Sequence, residues 1–497
     1  MAAVLVTLYT ACVGTLALWG VHRVLLMRAF ARSRWQSESP SSSGSELSET
    51  RPTVTVQLPV YNERTVVQRL IERVGELRYP ADRLEIQVLD DSTDETTGLA
   101  AEAVERLVAA GVDAHHLRRP DRAGFKAGAL DHGLDSARGE LIAIFDADFM
   151  PEPDFLERLV GEFEDPGVGM VQARWGHLDR DAGWLARAQA TLLDGHFVIE
   201  HTARATARQF FNFNGTAGIW RRTTIDAAGG WEHDTLTEDL DLSYRAQLAG
   251  WRFVYRPDVV APAELPGDLA AFRSQQRRWA RGSAQVLRKL GWRLLRAPLP
   301  IRVRIEALAH LAANIGYPLV LLLALMMPLM VDLRGPLGHL VHLVGFVVCT
   351  GTVVAFYERA ERAVGRTGWQ RLRDVPAAIA LGIGMSVSQS VAVVKGLFGG
   401  RTEFVRTPKR GDGRHTYRPG RAGLPLAELG VALWVASAGL DAIRAERFGA
   451  LPFLALFVAG FGWVGSSALR QRLSSGPLRA PSVPFNPARP VVVGKRD

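Results

Sequence analysis

Residues 51–292 contain no apolar run of the roughly 20 residues that a bilayer crossing needs, yet long apolar stretches stand on both sides of them. That partition constrains the fold more than any single motif. It predicts one sizeable hydrophilic domain held between membrane segments, for which a chain of 497 residues has room. Hydrophobic residues make up 47% of the chain and charged residues still make up 22%, too much charge for a purely helical membrane bundle. The net charge of +8 flanks apolar runs, as positive residues do on the cytoplasmic side of membrane helices. It gives no reason to expect a nucleic-acid partner. The two cysteines, Cys12 and Cys349, both lie inside apolar stretches, which argues against a disulfide framework and against zinc spacing.

The membrane segments follow from hydropathy. Residues 2–21 are apolar and are followed by Arg23, Arg28, Arg32 and Arg34. A cleaved signal peptide carries its positive charge before the apolar run, so residues 1–28 read as a retained anchor. Residues 29–50 form a linker, Ser- and Glu-rich from residue 37. Residues 293–358 read as a helical hairpin, with spans at 305–330 and 337–357 and a turn at Asp332–Pro336. Residues 419–470 read as a second hairpin, with spans at 426–442 and 451–469, and residues 471–497 as a basic cytoplasmic tail. Between the hairpins, residues 376–398 are apolar but interrupted by Ser386, Ser388, Gln389, Ser390 and Lys395. A full crossing there would put the basic tail outside, so residues 359–418 are read as an interfacial helix and a loop on the cytoplasmic face.

Within residues 51–292 short apolar strands alternate with helices. Strands are expected at 54–58, 84–89 and 141–145, with helices at 64–77, after a Ser92 or Thr93 cap, at 240–248 behind a Thr237 cap, and at 272–290. This pattern predicts a parallel, helix-covered α/β sheet, in which ligands bind at the carboxyl ends of the strands. Acids stand at those ends. Asp90 and Asp91 follow the second strand, where a carboxylate accepts hydrogen bonds from a nucleobase or ribose, or caps the next helix. Asp146 and Asp148 follow the third; in extended chain their spacing points both carboxylates the same way. Paired carboxylates suit magnesium or manganese bridging phosphates. Asp-x-Asp is also common in solvated loops, and its place after an apolar strand favours the functional reading.

Three further elements complete the set. Lys126 sits between Gly124 and Gly128 near a helix start, a point charge for phosphate. Thr237-Glu238-Asp239 opens a helix, where acids also suit the helix dipole; the functional reading makes Asp239 a general base. Gln275, Arg278 and Trp279 lie on one helix, offering a fork for pyrophosphate and an indole face for a sugar. Arg and Trp also anchor interfacial helices. Each element is weak singly and the ordered set is not.

With these elements in order, the chain resembles the membrane-embedded, inverting family-2 glycosyltransferases, relatives of cellulose and hyaluronan synthases. The resemblance runs from Pro59-Val60-Tyr61-Asn62-Glu63 through Trp279 and on toward Lys409. Phe213-Asn214-Gly215-Thr216-Ala217-Gly218-Ile219-Trp220-Arg221, Ala228-Gly229-Gly230-Trp231, Gly250-Trp251-Arg252-Phe253 and Ala263-Glu264-Leu265-Pro266 are similar to the plant cellulose-synthase-like A and C groups, which make mannan, glucomannan and glucan backbones. The resemblance implies a GT-A (Rossmann-like) cytoplasmic catalytic domain with an α-helical transmembrane domain. It implies a nucleotide-sugar site at Asp90 or Asp91, Lys126, Asp146, Gln275 and Arg278. A divalent cation, Mg2+ or Mn2+, would sit on Asp148 with Asp146, the catalytic base would be Asp239, and Glu238 and Trp279 would face the acceptor. Phe404, Arg406, Thr407 and Lys409 resemble a gating loop, departing from the usual pattern at Arg406. The donor is GDP-mannose or UDP-glucose. The favoured expectation is a processive β-glycan synthase in a bacterial inner or plasma membrane, with export partners in the envelope as a further option. The alternatives are a single-transfer enzyme with a glycolipid acceptor and an inactive nucleotide-sugar-binding subunit.

Overall fold

The computed structural model describes residues 2–33, 51–330, 336–400, 425–446 and 448–473. The expected gating loop, the turn at 332–335, most of the linker and the basic tail after residue 473 fall outside the described residues.

Seven strands form one sheet: β1 (Val54–Val60), β2 (Leu84–Asp90), β3 (Ala114–Arg118), β4 (Leu141–Ile144), β5 (Val168–His177), β6 (Gly218–Arg221) and β7 (Arg252–Ala263). Their order is β3-β2-β1-β4-β6-β5-β7. β1 pairs in parallel with β2 and β4, and β2 with β3, whereas β6 runs antiparallel to both neighbours. Every residue of β2 and β4 is buried, as a sheet covered on both faces requires. On one face Val54, Val56, Leu58 and Val60 pack with Leu70, Ile71 and Val104 of two helices. On the other, Ile142 and Ile144 pack with Leu130, Leu134, Trp220 and Leu242. The expected α/β fold of the GT-A type is thus found, but the sheet is mixed where a parallel one is expected, because β6 returns antiparallel between β4 and β5.

Local departures have local causes. The helix expected at 64–77 is shorter, Val67–Gly75. Ser92 and Thr93 do not cap the next helix, which begins at Thr96. Ser92 Oγ instead accepts the Asn62 N–H at 2.9 Å, and Thr93 N donates to Asn62 Oδ1 at 2.9 Å. These bonds tie the loop after β1 to the loop after β2. β4 ends at Ile144, and Asp146 and Asp148 stand in a turn closed by Phe149 N to Asp146 O at 3.0 Å, not in extended chain. Thr237 takes the cap position of helix Glu238–Leu248 but makes no capping hydrogen bond. The helix expected at 272–290 is longer, Leu269–Arg296, and Asp268 caps it by accepting from Ala271 N at 2.8 Å.

Among the described residues five helical segments are long and apolar enough to cross a membrane: Val4–Ala31, Ile301–Met330, Gln370–Phe398, Leu426–Arg444 and Leu451–Arg470. The segment expected at 337–357 is helical over Pro336–Ala363 but is not among these five. Residues 376–398 are among them by length and composition. Their helix, Val375–Phe398, nevertheless differs from the rest: 67% of its apolar window is buried in protein, against 17–33% for the other four. Its start is held by Arg187, whose Nε donates to Asp374 at 2.9 Å, and its end by Arg288, which donates to the Gly399 carbonyl at 2.9 Å. Both arginines belong to the hydrophilic domain. Gly384 lets this helix lie directly on Gly460 of helix Leu451–Leu473, where an added Cβ would stand 2.3 Å from the Gly460 carbonyl oxygen.

Candidate active site

One cleft opens over the carboxyl ends of β1, β2, β4 and β5, where the sheet order reverses sequence order, as the rule for open α/β sheets requires. Tyr61 and Asp91 stand at one end of its wall, Asp146 and Asp148 on its floor, and Trp175 and His177 at the end of β5. The helix opening at Glu238 supplies Glu238 and Asp239, and helix Leu269–Arg296 supplies Gln275, Arg278 and Trp279. Residues more than 200 positions apart in sequence therefore meet in one site.

Of the two acids after β2, only Asp91 reaches the cleft. Asp90 is 1% exposed, and its carboxylate is taken by His116 at 3.0 Å and by the Ser92 N–H at 2.8 Å. Burial opposes ionisation of Asp90, but those hydrogen bonds outweigh it and hold its carboxyl down at about 2. Asp91 is gripped bidentately by Arg119, at 2.7 and 2.6 Å. Arg122 stacks its guanidinium over the Tyr61 ring, 3.4 Å from the centroid. Tyr61, Asp91 and Arg122 line this end of the cleft, and Arg119 supports Asp91 from behind it. The arginines were not singled out from sequence, because nothing in Arg118-Arg119-Pro120-Asp121-Arg122 distinguishes two site cations from solvated loop charge.

Lys126 is the hub of the floor. Its ammonium donates to Asp146 at 2.5 Å and to the Gly215 carbonyl at 2.8 Å. Burial pulls its pKa down, but Asp146, Glu238 and Asp239 outweigh burial and leave it raised. Gly215 holds a left-handed φ of +82°, and a Cβ there would stand 3.1 Å from Asp239 Oδ2. Only glycine brings this loop so close to Asp239 without strain. Burial and the neighbouring Glu238 push the Asp239 carboxyl up to about 7, with Lys126 acting against them. Arg278 is lowered by burial, against the pull of Glu238, Asp146, Asp239 and Asp148.

The Thr237-Glu238-Asp239 segment is carried by the helix bearing Trp279. Gln285 accepts the Leu236 N–H at 2.9 Å. Gly282 faces Thr237 so closely that a Cβ would fall 2.5 Å from it. Lys289 Nζ lies 2.5, 2.7 and 3.0 Å from Glu232, Asp234 and Asp241. Those three acids converge as cation ligands do, but the ammonium occupies their focus and ties residues 232–234 and helix Glu238–Leu248 to helix Leu269–Arg296. Trp279 lies 6.4 Å from Trp175, whose ring stacks on Phe197 at 4.8 Å. The two indoles make an aromatic wall suited to a sugar face.

The donor set on the floor fits a hard divalent cation. Asp146 and Asp148 line the cleft with hard carboxylate oxygens on one turn, and an ion there would share Asp146 with the Lys126 ammonium. Arg278 and Lys126 supply positive charge on the same floor for a diphosphate. In chemical terms the cleft offers a cation-and-metal clamp for a polyphosphate, a base near neutrality and an apolar ring platform.

That combination belongs to sugar-nucleotide transferases, and comparison with known proteins agrees. Residues 52–282 match the family model described as glycosyltransferase like family 2. The glucomannan 4-beta-mannosyltransferase 2 of Arabidopsis thaliana is 34% identical over 462 residues, 84% of this chain and 81% of that protein. The glucomannan 4-beta-mannosyltransferase 1 of Oryza sativa subsp. japonica is 43% identical over 250 residues, 49% of this chain and 48% of that protein. The chain belongs to the family-2 glycosyltransferases, alongside the plant cellulose-synthase-like A mannosyltransferases. Among solved structures, the mannosyltransferase PcManGT of Pyrobaculum calidifontis, in complex with GDP-Man and Mn2+, aligns with a TM-score of 0.49 at 22% identity over 78% of this chain and 99% of that one. The relatives named are plant proteins, so the expected bacterial inner membrane has no support among them and is set aside.

Proposed function

We propose that this enzyme transfers a mannosyl unit from a nucleotide diphosphate sugar to the end of a β-linked glycan, with inversion, at a membrane. The observation that carries the reading is Asp239: a carboxylate pushed toward neutral pKa, set against Gly215 and Lys126, in the cleft that also holds Asp146, Asp148, Arg278 and Trp279. A base near the working pH is the one that removes a proton most effectively.

Asp91, Arg122 and Tyr61 bind the nucleoside end, with Arg119 holding the Asp91 carboxylate. Lys126, Gln275 and Arg278 orient the diphosphate, and Asp146 and Asp148 would hold the divalent cation. When bound, that cation offsets diphosphate charge and favours departure of the leaving group. Trp279, with Trp175, stacks the terminal sugar of the acceptor. The acceptor hydroxyl oxygen attacks the anomeric carbon as Asp239 takes its proton. The new carbon–oxygen bond forms while the bond to the diphosphate breaks, and the nucleoside diphosphate leaves with the electron pair. One displacement turns an α-linked donor into a β-linkage. The relatives' names favour mannose over glucose as the unit moved.

The same reading places helix Val375–Phe398 along the membrane surface. A helix of 24 residues is roughly 36 Å long, at 1.5 Å per residue. A crossing would carry one of its ends away from the hydrophilic domain, whereas Arg187 and Arg288 of that domain hold both. Processive extension and secretion fit this layout. Membranes containing the enzyme, incubated separately with radiolabelled GDP-mannose and UDP-glucose, test the function. Label from GDP-mannose should enter an alkali-stable polymer. Label confined to solvent-extractable lipid, or taken only from UDP-glucose, refutes the proposal.

A further inference from the structure

The helix that runs from Trp184 to Thr206 contains one stretch of π-helix, Gly195–His201. Such turns are rare and concentrate where an altered side-chain register does something. Here the register brings the rings of His196 and His201 to 4.4 Å apart, and both address one residue, Asn214. His201 Nε2 lies 2.7 Å from Asn214 Oδ1, and Asn214 Nδ2 lies 3.1 Å from His196 Nε2. His196 Nδ1 lies 3.2 Å from the Glu200 carboxylate. A carboxylate only accepts, so His196 donates from Nδ1, and in the neutral ring Nε2 is then the acceptor. That nitrogen requires a donor, which fixes the Asn214 amide with Nδ2 toward His196 and Oδ1 toward the His201 N–H. His201 is fully buried, and burial holds its ring well below the usual histidine range, hence neutral. Donors and acceptors agree at both contacts with Asn214, while the buried His201 Nδ1 has no partner.

Glu200 is itself held. Arg204, 2% exposed, donates to Glu200 at 3.0 Å and through Nε to Glu306 at 2.9 Å. Glu306 Oε2 lies 2.7 Å from His22 Nε2 on the amino-terminal helix. On its other side, Asn214 is bonded directly to Gly215, whose carbonyl accepts from Lys126 and whose Cα approaches Asp239.

We propose that His196 and His201 are positioning residues: they clamp the Asn214 amide from both ends and thereby hold Gly215 under Lys126 and beside Asp239, while Glu200, Arg204, Glu306 and His22 tie the clamp to the amino-terminal helix. This rests on the roles proposed above for Lys126 and Asp239. A small misplacement of groups that must meet a reacting atom costs on the order of 10²-fold in rate, and the nucleoside end of the cleft is built from other loops. His196→Ala and His201→Ala in the full-length membrane enzyme should therefore lower kcat by about that factor, by more than they raise the donor KM. His196→Gln keeps an acceptor at the Nε2 position and should recover most of the lost kcat. His22→Ala should lower kcat by a smaller factor, and its effect should be less than multiplicative with that of His196→Ala, as for residues in one network. An unchanged kcat in His196→Ala overturns the clamp. So does a loss that follows thermal stability and is not recovered by Gln. Multiplicative effects of His22→Ala and His196→Ala overturn the link to the first helix. Failure of the underlying reading shows separately: if Asp239→Asn turns over at the wild-type rate, Asp239 is not the base, whatever the histidine variants do.

Discussion

Replacing Asp239 by Asn should abolish useful turnover and at the same time make the ligand-free protein more stable at alkaline pH. The carboxyl lies in a protein-lined cleft beside Glu238, and its pKa rises from the ordinary 3.8 to about 7. It therefore binds its proton more tightly in the folded than in the unfolded chain. Stability from this group is fully present below about pH 4 and is lost as pH rises toward 7. A tenfold change in proton affinity corresponds to about 1.4 kcal/mol, so the charged carboxylate costs the fold on the order of 2–4 kcal/mol above pH 7, less where water or Lys126 screens it. Asparagine carries no charge and escapes this cost. Thermal unfolding in detergent at pH 5 and pH 8, without nucleotide or metal, should show wild type losing more stability between the two than Asp239→Asn does. Turnover at pH 7.5 should fall by roughly 10²–10⁴-fold, the usual contribution of a general base. Parallel pH dependences of unfolding in the two proteins refute the raised pKa. Substantial residual turnover refutes the base. The two failures are separate, so the experiment tests the electrostatics and the chemistry independently.

Other outcomes follow from the same geometry. Excess chelator should stop turnover, and Asp148→Asn should reduce it far more than it reduces the unfolding temperature; full activity in chelator rules out the metal. Trp279→Ala should impair chain elongation more than hydrolysis of the donor to free sugar, measured side by side, whereas an equal fall makes Trp279 only an anchor of its helix. Gly215→Ala forces a Cβ into left-handed backbone and against Asp239, costing about 1–2 kcal/mol of stability by strain alone; wild-type turnover in this variant contradicts the close approach. A single cysteine at Thr407 should resist impermeant labelling from outside intact cells, and external labelling there means that residues 375–398 cross the bilayer.

Much of this protein is written in its linear order, and the reasons are physical. Strand-length apolar runs alternating with amphipathic helices allow few arrangements other than a helix-covered sheet, and a strand end is where such a sheet presents its acids. Asp91, Asp146, Asp148, Asp239, Arg278 and Trp279 are therefore legible as candidates from the sequence alone. Hydropathy likewise separates the hydrophilic domain from the apolar helices, because the hydrocarbon thickness sets a length that composition either meets or does not.

Tertiary structure alone decided the rest. Asp90 and Asp91 are adjacent and chemically alike, and only the packing of His116 against one and Arg119 against the other separates a buried strut from a cleft residue. The acids Glu232, Asp234 and Asp241 resemble a metal site until Lys289, 48 residues beyond Asp241 in the chain, is seen at their centre. Helix Val375–Phe398 has the composition of a span, and its surroundings, two arginines of the hydrophilic domain at its ends and a glycine contact at its middle, are what distinguish it. The π turn at Gly195–His201 leaves no mark in composition, yet it aims two histidines at Asn214. Sequence determines what a segment can bury and which groups it carries. Which partner satisfies each buried charge is a property of contacts between residues far apart in the chain, and desolvation makes that choice decisive for function.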